Sequence, residues 1–161
     1  MAGTEAARPL TEGERNLAAS MFGDAIDYSC VTVKRRRWFP FQPKNVLMAP
    51  TGHVHVHPTS PLWSEDYSQE RLGLQALLLH ELTHVWQSQR RGRYYLPLMR
   101  HPFCRYDYAV RTGWTFERYG LEQQAEIVRH IYLLRNRYPV PGAPPLEQLE
   151  SILPFAVSRP R

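Results

Sequence analysis

The chain carries His80-Glu81-Leu82-Thr83-His84 inside a stretch, Gln69 to Gln89, that contains no proline. The stretch is rich in Leu, Gln and Glu, which lose little side-chain freedom in a helix, so the sequence predicts one long helix there. Its one glycine, Gly73, lies well before the motif. Leu78, Leu82 and Val85 recur at helical spacing, which predicts that the helix is buried. Positions i and i+4 share a helix face, so both imidazoles point to one place. Burying His80, Glu81 and His84 together without partners would be costly. A metal ion held by both rings removes that cost, and Glu81, beside the first histidine, can then act as a general base toward metal-bound water. The competing reading is a buried helix whose histidines and glutamate are satisfied by hydrogen bonds alone.

Two histidines do not complete a zinc site. A catalytic zinc takes three protein ligands and keeps one position open. Residues 115–136 form a second predicted helix, with Leu121, Ala125, Ile127, Val128, Ile131 and Leu134 as its apolar positions. It offers Glu122 and Glu126, again i and i+4 and so on one face. Glu122 follows His84 by 38 residues (122 − 84), enough for a loop and a returning helix. Glu117 and Glu126 compete with it for the role of third ligand.

These residues, His80-Glu81-x-x-His84 followed by Glu122-x-x-Ala125-Glu126, resemble the gluzincin pattern of zinc metallopeptidases. In that family H-E-x-x-H is followed on a second helix by E-x-x-x-D, often with alanine before the aspartate. The resemblance implies that His80, His84 and Glu122 hold zinc and that Glu126, where the family usually has aspartate, orients a zinc-bound histidine. It implies a zincin-like α+β fold, in which a small antiparallel sheet packs on the active-site helix and on the second ligand-bearing helix. The run His80 to Gln87 is also similar to small bacterial Vgr-related metallopeptidase-like domains associated with contractile injection systems. That likeness covers roughly residues 70–135 and extends toward Trp38-Phe39-Pro40 and His101-Pro102-Phe103-Cys104-Arg105-Tyr106.

Organisation along the rest of the chain suits a single domain over residues 1–161. The length fits one core, and 43% hydrophobic residues can fill it. Residues 1–10, small and polar, are expected to be loose. Thr11-x-x-Glu14 is a capping box that opens a helix through about Phe22, ended by Gly23. Val31-Thr32-Val33 reads as a short strand. Val46-Leu47-Met48 and His53 to His57 flank Thr51-Gly52 and predict a hairpin. Alternation along His53 to His57 puts three histidines on one face and Val54 and Val56 on the other. This strand is the expected sheet edge beside the metal, where a substrate strand would add. Its histidine face is read either as solvent-facing or as aimed at a metal or the active site. Residues 92–114 are aromatic and irregular. A stiff turn over Pro139 to Pro145 precedes a short helix from Leu146 to Leu153.

The net charge is +5, and the isoelectric point is about 9.5. Lys34-Arg35-Arg36-Arg37 and Arg90-Arg91-x-Arg93 concentrate it. Without a binding module these clusters read as a solvated basic face rather than a nucleic-acid surface, and an anionic partner fits equally well. No apolar run approaches the roughly 18 residues of a membrane span. No basic start followed by an apolar core marks a secretory signal, so the chain is expected to be cytoplasmic as synthesised, with export by a signal-independent machine open to it. Cys30 and Cys104, the two cysteines, form no C-x-x-C pair and are expected to be free, buried thiols.

The expected activity is hydrolysis of a peptide or amide bond in a peptide or protein substrate. Glu81 takes the proton from the zinc-activated water and passes it to the leaving amine. Tyr119, three residues before Glu122, and His130, four after Glu126, are candidates for stabilising the oxyanion, and His130 is the expected second catalytic residue. The alternative is a non-catalytic, zinc-binding interaction protein on the same scaffold, docking a peptide or a protein of the secretion apparatus.

Overall fold

A computed structural model of the chain describes residues 6–100 and 103–156. It is α+β, with a small mixed sheet against a bundle of helices. In chain order the elements are β1 (Ala7–Pro9), α1 (Glu12–Phe22), β2 (Thr32–Lys34), β3 (Leu47–Met48), β4 (Val54–Val56), α2 (Leu72–Arg91), α3 (Tyr95–Met99), α4 (Leu121–Arg135) and α5 (Leu146–Ile152), with single 3-10 turns at Tyr28–Cys30, Tyr67–Gln69 and Phe116–Arg118.

The sheet order is β1-β2-β4-β3. β3 and β4 are the expected hairpin, antiparallel with Leu47 opposite Val56 and Met48 opposite His55. Gly52 at φ +90° makes the tight return between them. The chain leaves β2, runs past to the far edge as β3, and folds back between the two, so β4 lies parallel to β2. That insertion makes the sheet mixed, not antiparallel throughout. It also moves the edge. β4 is an interior strand with all three residues buried, and β3 is the free border on that side. The histidine face of β4 is therefore neither an edge nor solvated. Trp38 packs edge-on against His55 with ring centroids 5.5 Å apart, and the Arg37 guanidinium donates to His57 at 3.0 Å.

The core lies between the sheet, α1 and the α2–α4 pair. Val33, Val54 and Val56 of the sheet, Leu78, Leu79 and Leu82 of α2 and Ile127, Val128 and Ile131 of α4 belong to one buried cluster, and α2 packs on both β4 and α4. The second predicted helix starts at Leu121 rather than Thr115. Gly120 sits extended at φ −62°, ψ 161°, and separates α4 from the Phe116–Arg118 turn. The described residues between 92 and 114 are irregular except for α3. Cys30 is exposed and donates to Asp27 at 3.1 Å, and Cys104 is half-buried. Neither is in a disulfide, and neither is buried.

The N-terminal reading needs one correction. Residues 1–5 lie outside the described residues, but Ala7–Pro9 pairs antiparallel with β2 instead of being loose. Glu14 explains why. As the third helical residue of the predicted capping box it accepts from the Thr11 amide at 2.9 Å, while Thr11 accepts from its own amide at 3.0 Å. The same carboxylate, fully buried, takes two bonds from the Arg8 guanidinium at 2.8 and 2.9 Å and one from the Tyr67 amide at 2.8 Å. One charge thus ties β1, α1 and the loop before α2 together. Arg8→Met strips the cation and leaves a buried, unpaired carboxylate, which costs about 3–5 kcal/mol. A thermal melt should fall by on the order of 10 °C. An unchanged midpoint would show that the anchor contributes nothing.

Candidate metal centre

α2 presents His80 and His84 one turn apart on its buried face, and α4 brings Glu122 against them from its first turn. The Nε2 atoms of both histidines lie 3.2 Å from the same oxygen, Glu122 Oε2. The three groups offer one ligand atom each, all within 4.8 Å of one another. Four-coordinate sites with bonds of about 2.0–2.2 Å to nitrogen and oxygen separate their ligand atoms by about 3.3–3.5 Å. The two nitrogen–oxygen separations of 3.2 Å lie close to that spacing.

The proton positions carry the argument further. Gln87, three residues after His84, donates from its amide nitrogen to the Leu121 carbonyl at 3.0 Å and to Gln124 Oε1 at 2.9 Å. Its oxygen therefore turns to His84, and His84 Nδ1, 2.8 Å away, is the N–H donor. His80 Nδ1 lies 2.9 Å from Glu126 Oε1, a charged contact slightly off hydrogen-bond alignment, which likewise places the proton on Nδ1. Each ring then turns an Nε2 lone pair toward Glu122. Two lone pairs and a carboxylate oxygen converging at 3.2 Å repel unless a cation or protons lie among them. The metal-free balance shows the same tension. Burial opposes a charged His80, yet Glu122 and Glu126 together push its pKa up. Burial likewise opposes charge on both glutamates, and the histidines, with Arg100 at Glu122 and Arg129 at Glu126, hold their carboxyls far below the usual range.

Glu81 stands apart. It is 5% exposed, it has no hydrogen bond among the described residues, and burial raises its pKa. It lines a cavity of about 410 Å³ with His80, Tyr106 and the edge-strand segment Asn45–Leu47. On the other side, His84 and Glu122 open on a cavity of about 260 Å³ walled by Trp38, Phe39, Met48 and Leu96. Arg100 borders both cavities and lies 3.2 Å from Glu122 Oε1.

The structure gathers His80, Glu81, His84, Glu122 and Glu126 at one place. Glu117 is excluded as a ligand, being at the surface 3.5 Å from Arg90. Tyr119 is buried elsewhere, its hydroxyl accepting from the Arg111 amide. His130 stands behind Glu126, with Nε2 3.1 Å from Glu126 Oε2 and Nδ1 2.7 Å from the Tyr108 hydroxyl. Both its nitrogens are engaged, and it lines neither cavity. Arg100 and Tyr106 were not identified from the sequence. Tyr106 stacks over His80 with centroids 6.4 Å apart, and its hydroxyl accepts from Arg100 at 3.5 Å. They come from the irregular segment, whose path no periodicity encodes. Gln87 was also missed, although its i+3 spacing from His84 was a legible signal. Gln87→Leu should free the His84 ring and weaken metal binding about 10–100-fold in a chelator-competition titration. Unchanged affinity would show that the ring needs no support.

No protein-family model matches the chain. It is 39% identical over 140 residues to the type VI secretion system spike protein VgrG2b of Pseudomonas aeruginosa, a match that takes in 83% of this chain but only 14% of the spike protein. The solved effector domain of Pseudomonas aeruginosa VgrG2b aligns with a TM-score of 0.71 and 38% identity, over 82% of this chain and 76% of that one. With most of both chains aligned at that identity, this chain belongs to the family of the VgrG2b effector domain.

Proposed function

We propose that the chain is a zinc-dependent hydrolase of peptide bonds with a zincin-like arrangement of the gluzincin type, delivered as an effector by a secretion apparatus. The observation that carries the reading is the pairing of two groups: three ligand atoms within 4.8 Å of one another, and a buried Glu81 next to them with no hydrogen bond among the described residues. His80, His84 and Glu122 hold the ion, which supplies Lewis acidity toward water and the scissile carbonyl. Glu126 and Gln87 fix the two rings, and His130 positions Glu126. Glu81 accepts the proton of the attacking water and hands it to the leaving amine, a task helped by burial, which raises its carboxyl pKa. Tyr106 and Arg100, at the cleft wall, are placed to donate to the oxyanion. β3, the free edge beside Glu81, is placed to pair with an extended substrate.

The secretion link rests on the family and on the spike protein that contains the matching segment. Among the described residues no helix is long and apolar enough to cross a membrane. The reading is tested by incubating the protein with a mixed peptide library and sequencing the products by mass spectrometry. Cleavage that stops with a chelator and returns with added zinc is the expected result. A zinc-loaded protein that binds peptides without cutting any would replace the hydrolase with a docking scaffold.

A further inference from the structure

Members of both basic clusters of the sequence meet at one cavity of about 510 Å³ that contains none of the metal-centre residues. Lys34, Arg36 and Arg37 reach it from the end of β2, and Arg93 reaches it from beyond α2. Its floor is His55 of β4 and Ser88 of α2, with Trp38 at the rim. No carboxylate lines it, and neither Lys34 nor Arg93 forms an ion pair with a described residue. A volume of this size suits a small organic ligand rather than a lone ion.

Two buried polar atoms in the floor have no partner. His55 is 5% exposed and Ser88 4% exposed, yet His55 Nδ1 and Ser88 Oγ make no hydrogen bond among the described residues. Buried polar groups are rarely left so, because each costs the desolvation it cannot recover. The His55 ring is neutral: burial first, then Lys34, hold it down at about 4. Because Nδ1 has no partner, the contact of the ring with the Arg36 backbone carbonyl falls to Nε2, which assigns the ring proton there and leaves Nδ1 as an acceptor. The ligand must bring negative charge for the surrounding cations and at least one hydrogen-bond donor for His55. The carbonyl end of α2 adds about half a negative charge nearby, which four cationic side chains outweigh.

We infer that this pocket binds a phosphate group, as the hydrogen phosphate ion or as the monoester of a small polyol. The P–OH of the free ion, or a polyol hydroxyl of the dianionic ester, donates to His55 Nδ1, the Ser88 hydroxyl donates to a phosphate oxygen, and Lys34, Arg37 and Arg93 balance the charge. Trp38 offers an apolar face to the carbon skeleton of an ester. Sulfate has the same shape and charge but no proton at neutral pH, so it cannot satisfy the histidine.

Isothermal titration calorimetry with inorganic phosphate, glucose 6-phosphate and sulfate at matched ionic strength tests this. Phosphate or its ester should bind at least about tenfold tighter than sulfate, the size of effect expected from one hydrogen bond to a charged group. The ester binding tighter than phosphate would identify a sugar phosphate as the ligand, and the reverse order the free ion. Lys34→Gln and Arg93→Gln, both away from the core, should each weaken binding several-fold. Ser88→Ala should weaken binding while leaving the melting temperature of the empty protein unchanged or raised, which a purely structural serine would not do. Equal affinity for sulfate, no binding of either phosphate compound, or binding indifferent to Lys34 and Arg93 would overturn the inference.

Discussion

Glu122→Gln and His84→Ala should each reduce bound zinc from about one per chain to a small fraction of that, read by elemental analysis of the purified proteins. The Nε2 atoms of His80 and His84 meet at 3.2 Å from one oxygen of Glu122, and that oxygen is the one contribution α4 makes to the cluster. Glutamine keeps the shape and removes the charge, so the site is left with two neutral rings. Removing a ligand should also cost stability that the metal confers on the folded state alone. An ion present at about 1,000 times its dissociation constant contributes about 4 kcal/mol. The wild-type melt should therefore rise with added zinc and the variants' melts should not. Arg100 adds a second effect. Its guanidinium lies 3.2 Å from Glu122 Oε1 and borders both cavities, so losing the carboxylate releases it into the cleft. The metal-free Glu122→Gln protein should melt below the metal-free wild type, because the pairing of the carboxylate with His80, His84 and Arg100 is lost. Full zinc occupancy in Glu122→Gln would remove the third ligand from the assignment.

Where local chemistry sets the structure, the sequence was easy to read. The capping box at Thr11 and Glu14 and the helix stop at Gly23 are interactions between neighbours, and they appear as expected. The i, i+4 spacings that join His80 to His84 and Glu122 to Glu126 are equally local, and so the helix faces were legible. The fact that the two faces meet depends on packing of α2 against α4, which spacing permits but does not dictate. The gluzincin resemblance supplied that pairing. The position of β4 was not legible because strand order is a matter of topology. An alternating His–Val pattern looks the same on an edge strand as on an interior strand whose second face is covered by Trp38 and Arg37. Arg100, Tyr106 and the convergence of the basic clusters were hidden for a similar reason, since irregular segments carry them to their places.

Glu81→Gln should abolish turnover, by about 10³-fold or more, while zinc content stays at the wild-type level. General-base removal alone is worth about 10²–10⁴ in rate. Here the carboxylate has no evident second use. It accepts no hydrogen bond from a described residue and is 5% exposed, and its burial raises its pKa. A structural carboxylate in this protein looks different: Glu14 is just as buried but takes four hydrogen bonds, two of them from a guanidinium. Folding therefore gains nothing from the charge on Glu81 and bears its desolvation. The neutral isostere should melt at the same temperature as the wild type or higher, so that activity and stability move in opposite directions. This opposition separates the two function classes. In a docking scaffold the carboxylate has no task, and peptide affinity would be the same with Glu or Gln at position 81. In a hydrolase the variant binds substrate and holds it uncut, so a catalytically dead Glu81→Gln protein should retain peptides that the wild type releases as fragments. Wild-type rates in Glu81→Gln would move the base elsewhere. A drop in its melting temperature would show that Glu81 serves the fold after all.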